Sequence, residues 1–188
     1  MDLGDLVEAA KAGDRGAFDE LVRATYADTY TLAYRLTGDE EDARDVTQDA
    51  YLRAYRALKR FRGDAQFSTW MYRITANCAN TLVGKRAKAR HDELSDDAGL
   101  ADLRPEADPE AMADAELLRD RVNDALAELP PRLRAVVVLR DVYDLPHEAI
   151  AQELGITEAA AKVRLHRARR KLRERLFPMR GEENAHAV

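Results

Sequence analysis

Between positions 162 and 170 the sequence sets Lys162, Arg164, His166, Arg167, Arg169 and Arg170 on one predicted helix. Guanidinium and ammonium groups donate to guanine edges and to phosphates, so duplex DNA is the ligand class these residues fit. At 100° per residue, Ala161, Leu165, Ala168 and Leu172 share one face and make a core stripe. Lys162, Val163, His166, Arg167 and Arg170 share the other, behind the small residue Ala159 that admits close approach to a groove floor. Lys162 and Arg167 suit guanine edges; Arg164, Arg169 and Arg170 suit phosphates. Val163 is apolar on an otherwise polar arc, which a thymine methyl contact would explain. A solvated basic helix is the plainer alternative, and the residues just upstream weigh against it. Gly155 can close a short helix at His147–Leu154 in the left-handed conformation. Thr157 can cap the next helix, with Glu158 favourable in its first turn. A short helix, a three-residue turn and a longer basic helix make a helix-turn-helix.

A second basic segment lies upstream. Phe61, Phe67, Trp70 and Tyr72 flank the loop Phe61-Arg62-Gly63-Asp64-Ala65-Gln66-Phe67, where Gly63-Asp64 supplies turn chemistry. The following helix is expected over 68–90, capped by Ser68 or Asp64. Its core stripe is Phe67, Met71, Ile74, Cys78 and Leu82. Thr69, Arg73, Ala76, Asn77 and Asn80 lie opposite, followed by Lys85, Arg86, Lys88 and Arg90. Amide and guanidinium groups on one face suit base edges, and aromatic rings beside positive charge suit stacking of exposed bases. Core packing is the other use of such rings, Trp70 included. A third pattern runs along the helix expected at 40–59, where Asp42, Asp45, Asp49, Arg53 and Arg56 form a polar stripe. It reads either as a solvated face or as a docking surface for a basic protein.

The elements that must position these residues are all helical. Helices are expected at 5–11, 16–37, 40–59 and 68–90, then from about 114 to the Pro130-Pro131 stop, at 132–143, at 147–154, and from Thr157 onward. There is no sustained β-branched alternation, so the fold class is all-α, in two small helical domains. Residues 1–90 form the first and 114–177 the second. They are joined by an acidic linker, 91–113, rich in Asp and Glu with Gly99, Pro105 and Pro109, and followed by a tail, 178–188.

The formal net charge of −5 conceals a strong division. Residues 1–50 carry 13 acids against 5 bases, and residues 92–128 carry 13 against 3. Residues 51–90 carry one acid against 10 bases, and residues 129–188 carry 8 against 12. Two basic segments on one acidic chain imply two polyanion-facing surfaces. The single cysteine, Cys78, excludes an internal disulfide and a Cys-rich zinc site, and fits a reducing cytoplasm. No apolar run is long enough to insert into a membrane, and the acidic start does not read as a secretory signal.

Enzyme chemistry finds little footing. The one Glu-x-x-His match, Glu183-Asn184-Ala185-His186, lies in the tail, and His147-Glu148 lacks the second histidine of a zinc protease motif. No glycine-rich phosphate loop is present and the four histidines are scattered. No catalytic residue, metal site or cofactor is expected.

The segments GDEEDARDVTQDAYLRAYRAL, FRGDAQFSTWMYRITANCANTL and ALAELPPRLRAVVVLRDVYDLPHEAIAQELGITEAAAKVRLHRARRKLRERL together resemble the extracytoplasmic-function (ECF) branch of the bacterial sigma-70 family. They stand in that family's order and spacing, between positions 38 and 176 of the chain. The resemblance implies a sigma-two-like domain and a sigma-four-like domain without the family's middle domain. It implies that Asp45, Gln48 and Asp49 dock on the clamp of RNA polymerase. It implies that Phe61, Arg62, Gly63, Asp64, Phe67, Trp70, Arg73, Asn77 and Asn80 serve the minus-ten promoter element, holding a flipped non-template base. Lys162, Val163, His166 and Arg167 match the family's base-reading positions for the minus-thirty-five element, and the second domain would also touch the polymerase flap. Such proteins are often held by an anti-sigma factor. The start of the recognition helix, Glu158-Ala159-Ala160-Ala161, is plainer than the family's Ser/Thr-rich form and leaves the minus-thirty-five preference open. Two alternatives stand beside this reading. A helix-turn-helix repressor would bind its operator unaided. A sigma mimic that sequesters an anti-sigma factor would not need the basic recognition helix.

Overall fold

A computed structural model of the chain describes residues 2–92 and 113–177. Most of the expected linker and all of the expected tail lie outside the described residues. Within them every regular element is helical: α1 (Leu3–Lys11), α2 (Arg15–Thr37), α3 (Glu40–Ala57), a 3-10 turn (Leu58–Arg60), α4 (Phe67–Asp92), α5 (Ala113–Ala127), α6 (Pro131–Val137), a π-helical turn (Val138–Val142), α7 (His147–Leu154) and α8 (Glu158–Leu176).

Side-chain caps set the helix starts. Asp2 and Asp5 form a reciprocal capping box on α1. Asp14 accepts from the Ala17 N–H at 3.2 Å and Asp39 from the Asp42 N–H at 2.9 Å. Gly38 ends α2 at φ 75°, a left-handed conformation that lets α3 turn back along it. Helix α4 begins at Phe67, with the Trp70 N–H already donating to the Gln66 carbonyl at 3.1 Å. Neither Asp64 nor Ser68 therefore occupies its capping position.

Helices α1–α4 enclose one body of apolar side chains. Leu21, Leu32, Ala33, Ala43, Ala50, Ala54 and Met71 are wholly buried, and the alanines of α3 allow close helix approach. The Tyr51 hydroxyl sits inside this core, 2.8 Å from Thr25 Oγ1 and 3.1 Å from Thr29 Oγ1. That pairing satisfies the polar atoms the packing encloses. Helices α5–α8 extend the same buried apolar cluster around Val136, Val138, Leu139, Leu145, Ile150, Ala161, Leu165 and Ala168. The helix expected over 132–143 widens after Val137. The Tyr143 N–H reaches the Val138 carbonyl at 3.3 Å and the Leu145 N–H the Leu139 carbonyl at 3.0 Å. This wider turn lets Val138 and Leu139 both face inward.

The two groups of helices pack on each other. Arg134, buried in the second group, donates to the Ala127 and Leu129 carbonyls that end α5. Its guanidinium lies so close to Gly38 that a Cβ there would fall 2.7 Å from Nη1. The Tyr143 ring meets Tyr72 edge-on at 4.6 Å, and its hydroxyl accepts from Arg35 at 3.4 Å. Ala76, read from sequence as solvent-facing, is buried because α4 carries packing on this side too.

Asp42 also departs from its expected place. It leaves the polar stripe of α3, is buried, and pairs with Arg86 of α4. Loss of solvent raises its pKa above 3.8, and the Arg86 charge opposes that rise only in part. The native state then holds this proton more tightly than the unfolded chain, so the contribution of Asp42 to stability falls as pH rises past 3.8. In thermal unfolding followed at a series of pH values, Asp42→Asn is expected to gain stability relative to the parent as pH increases. A relative loss over that range would mean that the ion pair, not desolvation, governs the site.

Candidate nucleic-acid interfaces

The turn that presents α8 forms from three local choices. Gly155 adopts φ 63° at the end of α7, and the Ile156 N–H returns to the Ala151 carbonyl at 2.9 Å. Thr157 Oγ1 then accepts from the Ala160 N–H at 3.1 Å and starts α8. The back of α8 is sealed by Ala161, Leu165 and Ala168, each no more than 4 % exposed, with Leu172 partly buried behind them.

The front carries Lys162, Val163, His166 and Arg167, all exposed, Val163 at 51 %. An isopropyl group half open to solvent is free to meet an apolar feature of a groove. Lys162 leans on Glu158 at 2.7 Å and Arg170 on Glu174 at 3.6 Å, both surface pairs one helical turn apart. Such pairs contribute little and exchange readily for phosphate. Arg169 is differently placed. It forks onto both oxygens of Asp141 at 2.9 and 2.6 Å, tying α8 to the π-helical turn. Arg164 is half-buried and points its helix face toward α4, lining a cleft with Asn80.

The second set gathers around the start of α4. Phe61, Phe67 and Trp70 form a ring cluster with centroids 4.9 to 6.1 Å apart. Phe67 is buried and anchors the cluster; Phe61 and Trp70 are half-buried and keep edges on the surface. Between them Arg62, Gly63 and Asp64 stand exposed, Gly63 at φ 77° and the Arg62–Asp64 pair loosely held at 3.9 Å. Further along, Asn77 accepts from Arg53 of α3 at 3.1 Å, and Arg53 pairs with Asp49 at 2.8 Å. Asn80 is exposed. Arg73 donates to Glu153 at 3.0 Å and to Gln152 at 2.9 Å, both on α7. The side chains of Lys88 and Arg90 lie outside the described residues. Burial pushes the Cys78 thiol up to about 12, so it is protonated and unreactive at neutral pH.

On α3, Asp45 and Gln48 are exposed and Asp49 half-exposed. Beside them lies an apolar groove of about 330 Å³ lined by Phe18, Tyr26, Gln48, Tyr51, Leu52 and Tyr55. Leu52 and Tyr55 are half open to solvent. Sequence reading passed over both, although they fall four and seven residues after Gln48, on its side of the helix. Glu153 and Gln152 were also missed, and no local signal marks them. Among the described residues no group of His, Cys, Asp or Glu could hold a metal, and no helix is long and apolar enough to cross a membrane.

Two family models match the chain. Sigma-70 region 2 covers residues 21–89, and the model described as Sigma-70, region 4 covers residues 119–172. The RNA polymerase sigma-H factor of Pseudomonas aeruginosa is 34 % identical over 180 residues, spanning 93 % of each protein. The ECF RNA polymerase sigma factor SigE of Mycolicibacterium smegmatis is 37 % identical over 170 residues, which are 87 % of this chain and 64 % of that protein. Among solved structures, CnrH in complex with the cytosolic domain of CnrY superposes with a TM-score of 0.59 at 27 % identity, over 92 % of this chain and 96 % of that one. The fold is also that of the sigma factor RpoE of Bartonella quintana, solved with the anti-sigma factor NepR, at a TM-score of 0.65 and 20 % identity over 87 % of this chain and 98 % of that one.

Thr157→Ala removes the cap of the helix that carries the open basic face. It is expected to cost about 1 kcal/mol in urea unfolding of the second group of helices. A change within the error of the measurement would show that the cap does not hold α8 in place.

Proposed function

The chain belongs to the sigma-70 family, in its ECF branch, and on that premise we propose that it directs core RNA polymerase to a set of promoters and initiates transcription there. The observation that carries this reading is the combination on one chain of an open basic recognition face and, on α3, the exposed Asp45 and Gln48 with half-exposed Asp49 beside an apolar groove. A DNA-binding protein acting alone needs the first but not the second.

In this reading residues 1–90 are the polymerase-docking and minus-ten domain, and residues 114–177 the minus-thirty-five domain. Asp45, Gln48 and Asp49 meet basic groups of the polymerase clamp, and Leu52 and Tyr55 add apolar contact next to them. Phe61, Trp70 and the exposed loop Arg62-Gly63-Asp64 receive an unstacked base, with Phe67 as their anchor. Arg73, Asn77 and Asn80 follow the strand along α4. On duplex DNA, Arg167 and Lys162 address base edges, Val163 a methyl group and His166 a neighbouring edge, while Arg164, Arg169 and Arg170 take phosphates. The second domain also meets the polymerase flap. The protein acts in the cytoplasm without a catalytic step, cofactor or metal of its own. An anti-sigma factor controls it; support comes from CnrH, a neighbour at 27 % identity that was captured with the cytosolic domain of another protein.

Run-off transcription with core polymerase over a genomic library tests the whole assignment: promoter-specific initiation is expected, and tight operator binding without polymerase would instead indicate a repressor. Arg167→Ala is expected to weaken recognition of the minus-thirty-five region by about 1–3 kcal/mol and to relax base preference there. Unchanged promoter choice in a competition assay would remove Arg167 from the reading face. Asp45→Arg combined with Asp49→Arg is expected to abolish co-purification with core polymerase while leaving helical circular dichroism intact. Retained association would mean that the docking stripe lies elsewhere.

A further inference from the structure

Asp141 of the π-helical turn holds Arg169 of α8 by two hydrogen bonds, which Nε donates to Oδ2 at 2.9 Å and Nη2 to Oδ1 at 2.6 Å. The carboxylate takes one edge of the planar guanidinium. The remaining nitrogen, Nη1, has no hydrogen-bond partner among the described residues, and the Arg169 side chain is 52 % exposed. At 100° per residue, Arg169 falls about 20° from Lys162 and about 40° from Leu165. It therefore stands at the margin of α8, between the open front and the sealed back. A helix lying in the major groove turns its front to the base edges, and its margins lie beside the phosphates.

The turn is built to keep Asp141 still. Its Val138 and Leu139 are wholly buried, and Arg140 ties down its far end by donating to the Leu145 carbonyl at 3.0 Å and to Asp144 Oδ1 at 3.3 Å. Asp144 takes φ 51°, a left-handed conformation that aspartate tolerates, and closes the turn. Wider turns of this kind recur at functional sites. A surface ion pair usually contributes little, but a two-pronged arginine contact to a fixed carboxylate is the geometry in which it does more. A lysine ammonium in place of the Arg169 guanidinium could not make that fork.

We propose that Asp141 is a positioning residue for promoter recognition: it fixes Arg169 at the margin of α8 so that Nη1 meets one phosphate of the minus-thirty-five element and sets the register of the helix in the groove. The proposal rests on the reading of α8 as the minus-thirty-five helix. Asp141 touches neither base nor phosphate; it acts through Arg169. A phosphate competing for Nε and Nη2 would have to displace it, whereas one that approaches Nη1 would not. An acid beside DNA weakens binding by repulsion. That repulsion falls on all sequences alike, while the fixed arginine favours only a helix docked in register. Discrimination rises as affinity for DNA at large falls.

The test uses the full chain assembled with core RNA polymerase, a promoter recovered by the run-off assay and a non-promoter duplex of equal length. Affinities are measured by fluorescence anisotropy over a series of potassium chloride concentrations. Arg169→Ala is expected to lessen the slope of log affinity against log salt by about 0.9, the share of one phosphate contact. Asp141→Asn is expected to lower the ratio of promoter to non-promoter affinity on the order of five-fold, as loss of one well-held hydrogen bond would. Binding to the non-promoter duplex is not expected to weaken. Asp141→Arg combined with Arg169→Asp re-forms the ion pair with its charges exchanged. It is expected to regain the thermal stability that either change alone loses, without regaining the promoter ratio. A slope unchanged by Arg169→Ala, a ratio unchanged by Asp141→Asn, or a ratio restored by the exchanged pair overturns the proposal, the last by showing the contact to be a brace between elements and nothing more. Failure of the α8 reading itself looks different: Arg167→Ala would then also leave promoter choice unchanged, whereas it still relaxes that choice if Asp141 alone is misassigned.

Discussion

Helix α4 is packed along more than one side, and the arrangement of the whole chain follows from how those sides are covered. Met71, Thr75 and Cys78 are buried with the core of α1–α3. Ala76 and Ala79 are buried beside the cleft shared with Leu36, Ala135, Leu154 and Ile156. A helix with a broad buried circumference cannot also offer a wide reading face. Its polar residues are pressed into a narrow strip, and there Arg73 and Asn77 find partners within the protein. Small side chains make this possible, since alanine lets neighbouring helices come close.

The recognition helix solves the opposite problem. Its back is sealed by two alanines and a leucine, so the helix sits low on its supports and keeps the whole front in water. The charges on that front are held by pairs of unequal strength. Lys162 and Arg170 rest on single exposed carboxylates one turn away. Arg169 is held by a two-pronged contact to Asp141, which fixes the angle between α8 and the preceding turn. A DNA phosphate would displace the first kind at little cost and would have to compete with the second. The front therefore divides into residues whose side chains stand open and a residue that positions the helix.

Helix α3 joins two kinds of recognition on neighbouring surfaces. Its charged stripe can steer a basic partner at long range, and the groove beside Leu52 and Tyr55 can bury area once contact is made. Asp42 belongs to neither. It sits one turn before Asp45 in sequence, yet is buried, pairs with Arg86 of α4 and links the two helices.

Helical periodicity by itself determined the all-α class, the position of each helix to within a few residues, and the two faces of α8. These are short-range properties: the 3.6-residue period, the left-handed Gly155, the cap at Thr157 and the proline at the start of α6 act within one or two turns. The lone cysteine and the divided charge were legible for the same reason, because counting needs no fold. Tertiary structure decided what lies far apart in sequence. Nothing near Arg73 announces Glu153, eighty residues on, and nothing near Asp42 announces Arg86. Ala76 was assigned to solvent because periodicity finds the stripe that faces its own domain, and a second packed face on the same helix leaves no separate period. The widening after Val137 was hidden likewise, since a π-helical turn answers the demand to bury Val138 and Leu139 together rather than any local preference. Sequence told which side chains could meet DNA; the packing of α7 on α4 decided that Arg73 meets Glu153 and Gln152 within the protein.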